Sequence, residues 1–452
     1  MSRLFGTDSV KGIAVADLTC EIAMQAGRAA AAVISGSDKR KARFIIGKDG
    51  RLPSDILEAA ICAGICSAGA DAEGLGTVPA PAAAWLTKEL GADACIMISA
   101  AASDGNSSGI RLYSQEGKRF GGDVEEQIER LVFGIGAESV LARPRTGMGR
   151  MLRREDSVST YIEHISSLVP TDLSGLKVAL GCADSCASVT ACDLFRELGA
   201  EVLMLPEPGD VFDSDIETAS TEFERLMDFV PENGCDCGFA FDGDGTGCLA
   251  VDENGSLVDG DQLLAIFAKS YKEQGRLRND SVVVNYMSGL GLMHFLRDNG
   301  ISALTSGAGD RYILDRMIEE ECSLGGEKSG HIIFLEDSLV GDGQLCGARL
   351  LEIMKSTGKK LSELAGEMQK LPQIVLNVRI SPMKKEIWKN DKVITDLIRA
   401  GEEKLGAEGR VIVREAFVPE SFIRVVIEGR NFSLINDMAV DIARTIKAQC
   451  AI

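Results

Sequence analysis

Several short stretches of this chain combine residue types that can do chemistry. FDGDGTG, residues 241–247, closes an apolar run and sets Asp242 and Asp244 two apart between glycines. Hard carboxylate oxygens at that spacing suit magnesium, which takes one or two carboxylates together with a phosphate. An Asp/Gly turn that holds no ion is the alternative. LGGEKSGHIIF, from Leu324, places Glu327, Lys328, Ser329 and His331 in a glycine loop before a strand. Glutamate and serine can take both sides of hydroxyl hydrogen bonds, and lysine and histidine can meet an oxyanion. The inventory suits a sugar phosphate; the alternative is a solvated turn. Lys11, Arg51, Arg311, Arg414 and Arg424 are further basic candidates, each expected on the surface when taken singly. Arg424 stands apart, because it lies in the last apolar strand, where a charge needs a partner or a cleft. Lastly, ISAAASDGNSSGIRLY, residues 98–113, reads as a buried strand opening into a small polar loop. That layout sets a reactive residue at a strand's end, yet three alanines occupy the place of a nucleophile.

The elements that must position these loops alternate in type. ARFIIGKD is a short β-rich run, and PSDILEAAICAGICSAG carries Leu57, Ala60, Ile61, Gly64 and Ile65 at helical spacing, with Ser54 as the expected N-cap. LKVALGC, SCASVTACDLFRELG and AEVLMLP read as strand, helix, strand. SVVVNYM, GLGLMHFLRDNG and ISALTS repeat the order. This βαβ grammar predicts largely parallel or mixed sheets in three related α/β domains. The tail reads β-α-β-β-α: LPQIVLNVRI, MKKEIWKNDKVITDLIRAGEEKLG, RVIVRE, SFIRVVIEG and NFSLINDMAVDIARTIKAQ. It predicts a small α+β domain. The expected domains are 1–154, 155–254, 255–371 and 372–452.

At 452 residues with 45% hydrophobic and 26% charged residues, the chain has an ordinary globular balance and is too long for one core. A formal net charge of -20 repels phosphate backbones and anionic lipid, which argues against nucleic-acid and membrane-surface partners. The N-terminal residues show no apolar signal segment, and no apolar run nears the ~18 residues that span a bilayer, so a cytoplasmic location is expected. The thirteen cysteines form no CxxC pair and lie far from His164, His294 and His331; buried free thiols are expected rather than zinc.

Taken together, the motifs resemble the α-D-phosphohexomutases, and most closely the bacterial phosphoglucosamine mutases, from end to end. FGTDSVKG is similar to that family's opening FGTDGxRG. IIGKDGRLPSDILEAAICAGICSAGAD, GTVPAPA and LTKELGADACIMISA are similar to its first domain. VDGDQLLAIFA, GDRYILDRM, GGEKSGHIIF and VGDGQLCGARLL are similar to its third. The resemblance implies three α/β domains and a smaller fourth around a central cleft, often in a dimer. It also implies phosphoryl transfer between the 6- and 1-positions of a hexose by way of a phosphoserine, with Mg2+ bridging that serine and three aspartates. Glu327, Ser329 and His331 match the sugar-reading loop, and Arg414 and Arg424 fall in the phosphate-gripping region.

Against this pattern the chain departs at the chemistry. In the family's ISASHNPxxDNGIK the phosphoserine falls at Ala101, which has no oxygen to carry a phosphoryl group. The following histidine falls at Ala102. The metal loop, usually DGDGDR, keeps Asp242 and Asp244 but has Thr246 and Gly247 after them. The loop RxSGTEP keeps Arg414 but carries Phe417, Val418 and Pro419 where phosphate is usually cradled. Lys11 stands where arginine is usual and loses its fork. The expectation is therefore a catalytically degenerate phosphoglucosamine-mutase-like protein with no intact catalytic residue. Its substrate-binding residues would be Glu327, Ser329, His331, Arg414, Arg424 and Lys11, its metal residues Asp242 and Asp244, and its Mg2+ binding weak or absent. A hexose phosphate is the expected ligand. A homodimer, or pairing with an active mutase or another protein such as a diadenylate cyclase, is the expected assembly, in a regulatory or scaffolding role. The alternative is an active mutase interconverting glucosamine 6-phosphate and glucosamine 1-phosphate with a displaced acceptor, Ser103 or Asp104. Either would shift the acceptor by ~3.3 Å per residue, against a tolerance of about 1 Å.

Overall fold

The computed structural model describes residues 10–13, 16–36, 41–100, 107–134, 147–182, 185–206, 218–381, 387–417 and 421–450. Two compact units emerge: Met1–Met287 with Ile301–Glu367, and Ser288–Gly300 with Met368–Ile452.

The first unit holds three mixed sheets. In the first, β1 (Val10–Ile13), β2 (Arg43–Lys48), β3 (Asp71–Thr77), β4 (Ala94–Ala100), β5 (Ser107–Ser114) and β6 (Met151–Arg153) run in the order β1-β5-β4-β2-β3-β6. The second joins β7 (Lys177–Gly181), β8 (Glu201–Met204), β9 (Cys237–Phe241), β10 (Cys248–Asp252) and β11 (Leu257–Val258) in the order β11-β10-β9-β7-β8. The third joins β12 (Ser281–Asn285), β13 (Ser302–Ser306), β14 (Leu324–Gly326) and β15 (Ile332–Phe334) in the order β13-β12-β14-β15. One plan recurs. Parallel strands (β3-β2-β4, β8-β7-β9, β13-β12-β14) are extended by an antiparallel hairpin, β4-β5, β9-β10 or β14-β15. The central parallel strands β2 and β12 are apolar in their interiors, as strands covered on both faces must be: Phe44, Ile45 and Ile46 in β2 and Val282, Val283 and Val284 in β12 are fully buried. Helices Cys20–Ser35 and Leu52–Ser67 pack backbone to backbone at Gly64, where a Cβ would lie 2.0 Å from the Met24 carbonyl oxygen.

The hairpins are what positions the candidate chemistry. Residues 101–106, with Ala101, Ser103 and Asp104, connect β4 to β5 and lie outside the described residues. Asp242 to Gly247 connect β9 to β10, and Glu327 to His331 connect β14 to β15. The β9-β10 and β14-β15 turns are thus equivalent places in two copies of one plan.

In the second unit, β16 (Gln373–Arg379), β17 (Gly409–Phe417) and β18 (Ser421–Gly429) form an antiparallel sheet in the order β16-β18-β17. Its core is Ile394, Ile423, Val425, Ile427, Ile435, Ala439, Ile442 and Ile446, drawn from β18 and from helices Lys392–Leu405 and Phe432–Cys450. This is the β-α-β-β-α order expected for the tail. Helix Leu290–Asp298, which follows β12 in the chain, groups with these residues. Glu428 accepts from the Leu290 N–H at 2.9 Å and pairs with Arg410 at 3.0 Å, and Arg410 also donates to the Ser288 carbonyl.

Three local expectations need correction. Ser54 is not an N-cap. Its helix starts earlier, at Leu52 with proline in its first turn, and the buried Ser54 hydroxyl donates to Asp49 instead. SCASVTACDLFRELG is not one helix but a 3-10 turn, Cys186–Val189, followed by helix Ala191–Glu197, because Thr190 leaves helical dihedrals at φ -129°. The helical stretch MKKEIWKNDKVITDLIRAGEEKLG is interrupted at Asp391, which follows helix Ile387–Asn390 and whose carboxylate caps a new start at the Val393 and Ile394 N–H groups. All thirteen cysteines are free thiols, and burial pushes Cys62 and Cys95 up to about 12. No helix among the described residues is long and apolar enough to cross a membrane.

Candidate functional site

Asp242 and Asp244 sit in the β9-β10 turn, held by main-chain contacts on both sides. The Ser185 hydroxyl donates to the Asp242 carbonyl at 2.6 Å, and the Ala80 N–H donates to the Asp244 carbonyl at 2.8 Å. Their side chains are fully engaged. Asp242 Oδ1 accepts from the Gly247 N–H at 2.8 Å, and its Oδ2 lies 2.9 Å from His331 Nε2. Asp244 Oδ2 lies 2.7 Å from Arg111 Nη1, which also donates to Ser99 Oγ. Thr246 Oγ1 bridges the pair, 2.6 Å from Asp244 Oδ1 and 3.1 Å from Asp242 Oδ2. The two aspartates titrate apart. Partial burial and the neighbouring Asp244 charge raise Asp242. Burial pushes Asp244 up too, but the Arg111 guanidinium and the Thr246 hydroxyl outweigh it and hold Asp244 at about 2.

His331 joins two loops. Beyond Asp242, its Nδ1 lies 3.4 Å from Asp310 Oδ1 at the start of helix Asp310–Glu319. Burial disfavours the imidazolium, but Asp310 and Asp242 outweigh it and raise His331 well above the usual histidine range. His331 also pairs with Gly247 in a backbone bridge, and a Cβ at residue 247 would lie 2.6 Å from His331 Cδ2. Glycine at 247 is what lets the imidazole reach Asp242. In the same turn, Glu327 accepts from the Gly309 N–H at 2.6 Å and from the Ser329 hydroxyl at 3.2 Å, with Ser329 exposed. A carboxylate and a hydroxyl already facing each other at an exposed turn can exchange that bond for sugar hydroxyls.

Other predicted residues lie elsewhere. Lys11 is in β1, opposite Gly109. Arg51 pairs with Asp49 at 2.7 Å and donates to Ser108 Oγ at 3.1 Å, anchoring the start of β5. Arg311 lies 3.8 Å from Glu125. In the second unit, Arg414 and Arg424 face each other in the β17-β18 register, and Arg424 Nε donates to Asn377 Oδ1 at 2.9 Å. That amide is the partner that a charge in this strand needed. Burial and the facing Arg424 lower Arg414. Of the altered phosphate loop, residues 418–420 lie outside the described residues.

Sequence reasoning missed Arg111, Asp310 and Ser99. For Arg111 the signals were a charge inside the otherwise apolar strand GIRLY and the basic residue that ends the family pattern ISASHNPxxDNGIK, which falls on this position.

The fold and these loops define a phosphohexomutase architecture, and the chain belongs to the phosphoglucomutase/phosphomannomutase family. The family's alpha/beta/alpha domain I matches residues 2–138, and its alpha/beta/alpha domain III matches residues 259–371. Within the family the chain is phosphoglucosamine-mutase-like. It is 41% identical over 447 residues to the phosphoglucosamine mutase of Acetivibrio thermocellus, covering 99% of each chain. Among solved structures, a phosphoglucomutase/phosphomannomutase family protein from Burkholderia thailandensis has a TM-score of 0.80 at 22% identity, covering 99% of this chain and 98% of that one. N-acetylphosphoglucosamine mutase from Aspergillus fumigatus, solved with GlcNAc-6P and magnesium, has a TM-score of 0.68 at 13% identity, covering 99% and 96%.

Proposed function

We propose that this phosphohexomutase-family chain binds a hexose phosphate and does not turn it over by the phosphoserine route. The observation that carries the reading is Ala101, a residue without a side-chain oxygen where the family pattern has its phosphoryl carrier. Two further changes support it. Thr246 replaces a carboxylate of the metal loop, and Phe417 to Pro419 replace the phosphate-cradling residues. Positioning and charge neutralisation supply most of a phosphoryl transfer, and each departure removes part of them. In the first unit, Glu327 and Ser329 would read sugar hydroxyls, with His331 fixing the loop they sit on. In the second unit, Arg414 and Arg424, two like charges facing each other, offer an anion site. Magnesium binding would be weak or absent. The division into domains 1–154, 155–254, 255–371 and 372–452 belongs to this reading, as does a regulatory or scaffolding role in a homodimer or in complex with an active mutase or another protein.

A second reading has its own support. Identity of 41% along nearly the whole length to a phosphoglucosamine mutase favours an active enzyme, and the comparisons carry no sign of lost catalysis. Ser103 or Asp104 would then accept the phosphoryl group. Phosphorus NMR separates the two. The protein is incubated with glucosamine 6-phosphate, magnesium and a catalytic amount of the 1,6-bisphosphate. No glucosamine 1-phosphate over days is the expected result. A growing signal abolished by Ser103→Ala or Asp104→Ala would establish the active enzyme.

A further inference from the structure

The β9-β10 loop belongs to a family whose resemblance implies magnesium, and the residues present do not fit that ion. Each of the four carboxylate oxygens of Asp242 and Asp244 already has a partner: Gly247 N–H, His331, Thr246 or Arg111. Among the described residues, no group of three or more His, Cys, Asp or Glu is placed to hold a metal ion. A divalent cation entering here would have to displace a guanidinium seated 2.7 Å from Asp244, on a carboxylate almost wholly buried.

We infer that Arg111 is the resident counter-cation of this loop, so that the fold around Asp242 and Asp244 is complete without a divalent metal. The guanidinium is suited to the task because it stays charged at any working pH and directs several fixed N–H donors. Its second bond, to Ser99 Oγ at the end of β4, sets its direction. Thr246 supports the arrangement by spanning both carboxylates with one uncharged hydroxyl. Gly247 supports it by leaving room for the His331 ring, which a Cβ would crowd at 2.6 Å. One cation on β5, one hydroxyl and one imidazole thus take up the places that hydrated Mg2+ would need. The inference stands apart from the sugar-phosphate reading, since it concerns metal dependence alone and holds whether or not a hexose phosphate binds.

The test is the thermal midpoint of the full chain in EDTA and in millimolar MgCl2, with Mn2+ binding followed by electron paramagnetic resonance. A ligand that binds only the folded state raises the midpoint by mass action, so a loop that needs a metal must respond. The expected result is an unchanged midpoint for the wild type and no Mn2+ signal that Asp244→Asn removes. The Arg111→Ala variant uncovers the carboxylates and is expected to gain a rise of several degrees with magnesium. A wild-type rise of several degrees, or saturable Mn2+ binding lost in Asp244→Asn, would overturn the inference. Should Arg111→Ala not fold, the wild-type midpoint and the Mn2+ comparison still decide it.

Discussion

Arg111 Nη1 lies 2.7 Å from Asp244 Oδ2 and ties a strand of the first sheet to the β9-β10 turn of the second. Both side chains are largely buried, so the pair is a tertiary cross-link rather than a surface ion pair. Breaking such a pair from one side leaves an uncompensated charge, whereas removing both charges costs much less. Arg111→Ala is therefore expected to lower unfolding free energy by about 3 kcal/mol. Adding Asp244→Asn should recover a large part of the loss. Urea titrations of the two single variants and the double variant measure the coupling. Strict additivity would show that the two side chains do not act as a pair.

Ala101→Ser alone is expected to leave mutase turnover undetectable. On the proposed reading the hydroxyl returns, but Thr246 would still stand in place of a carboxylate, Arg111 still meets Asp244, and Phe417 to Pro419 would still replace the phosphate cradle. Phosphorus NMR with glucosamine 6-phosphate checks this. A strong gain from this one change would mean that the other two losses matter little.

Asp342 makes a pH prediction away from the acidic loop. It caps helix Gly343–Thr357 at the Gln344 and Leu345 N–H groups and accepts from the Tyr161 hydroxyl at 2.9 Å. Burial outweighs these bonds and pushes its carboxyl up to about 6. Aspartate in an unfolded chain titrates near ~3.9. Between those values the folded protein holds a proton that the unfolded chain has released, so this residue's contribution falls as pH rises from about 4 to about 6. Asp342→Asn keeps an acceptor and removes the titration. The stability of the variant relative to wild type should therefore rise across that window, by up to about 3 kcal/mol, and level off above it. Urea unfolding of both proteins at closely spaced pH values is the check. A constant difference would show that Asp342 keeps an ordinary pKa.

Glu428 carries a comparable load in the second unit. It is almost fully buried and meets both the Leu290 N–H and Arg410. Glu428→Ala should cost about 3 kcal/mol or more, since it strands a guanidinium and the first turn of a helix together. Hydrogen exchange should then show lost protection concentrated in helix Leu290–Asp298. Uniform loss across the unit would mean that Glu428 does not hold that helix.

Much of the fold was legible because its cues are local. Short apolar runs marked β2, β7, β9 and β12, and glycine-rich motifs made Asp242, Asp244, Glu327, Ser329 and His331 candidates. The errors were also local in origin. The spacing of SCASVTACDLFRELG is helical on both sides of Thr190, and nothing in the pattern reports one residue leaving helical dihedrals. Asp391 was read as part of a helix because a capping aspartate and a surface one look alike in sequence. Arg111 and Asp310 escaped notice for another reason. Their partners, Asp244 and His331, lie in other segments of the chain, and no spacing rule links them.

The sequence by itself determined which side chains occupy the family's motif positions. Residue 101 is alanine, without a side-chain oxygen, and residue 246 is threonine, without a carboxylate, whatever the fold around them. It also determined the order of elements, because hydrophobic period and turn residues act over a few positions. Only the tertiary structure decided what the remaining charged groups do. Arg111 meets Asp244, His331 spans Asp242 and Asp310, and Leu290 is held by Glu428, each because folding brings distant residues into a low-dielectric contact where a charge must find a partner.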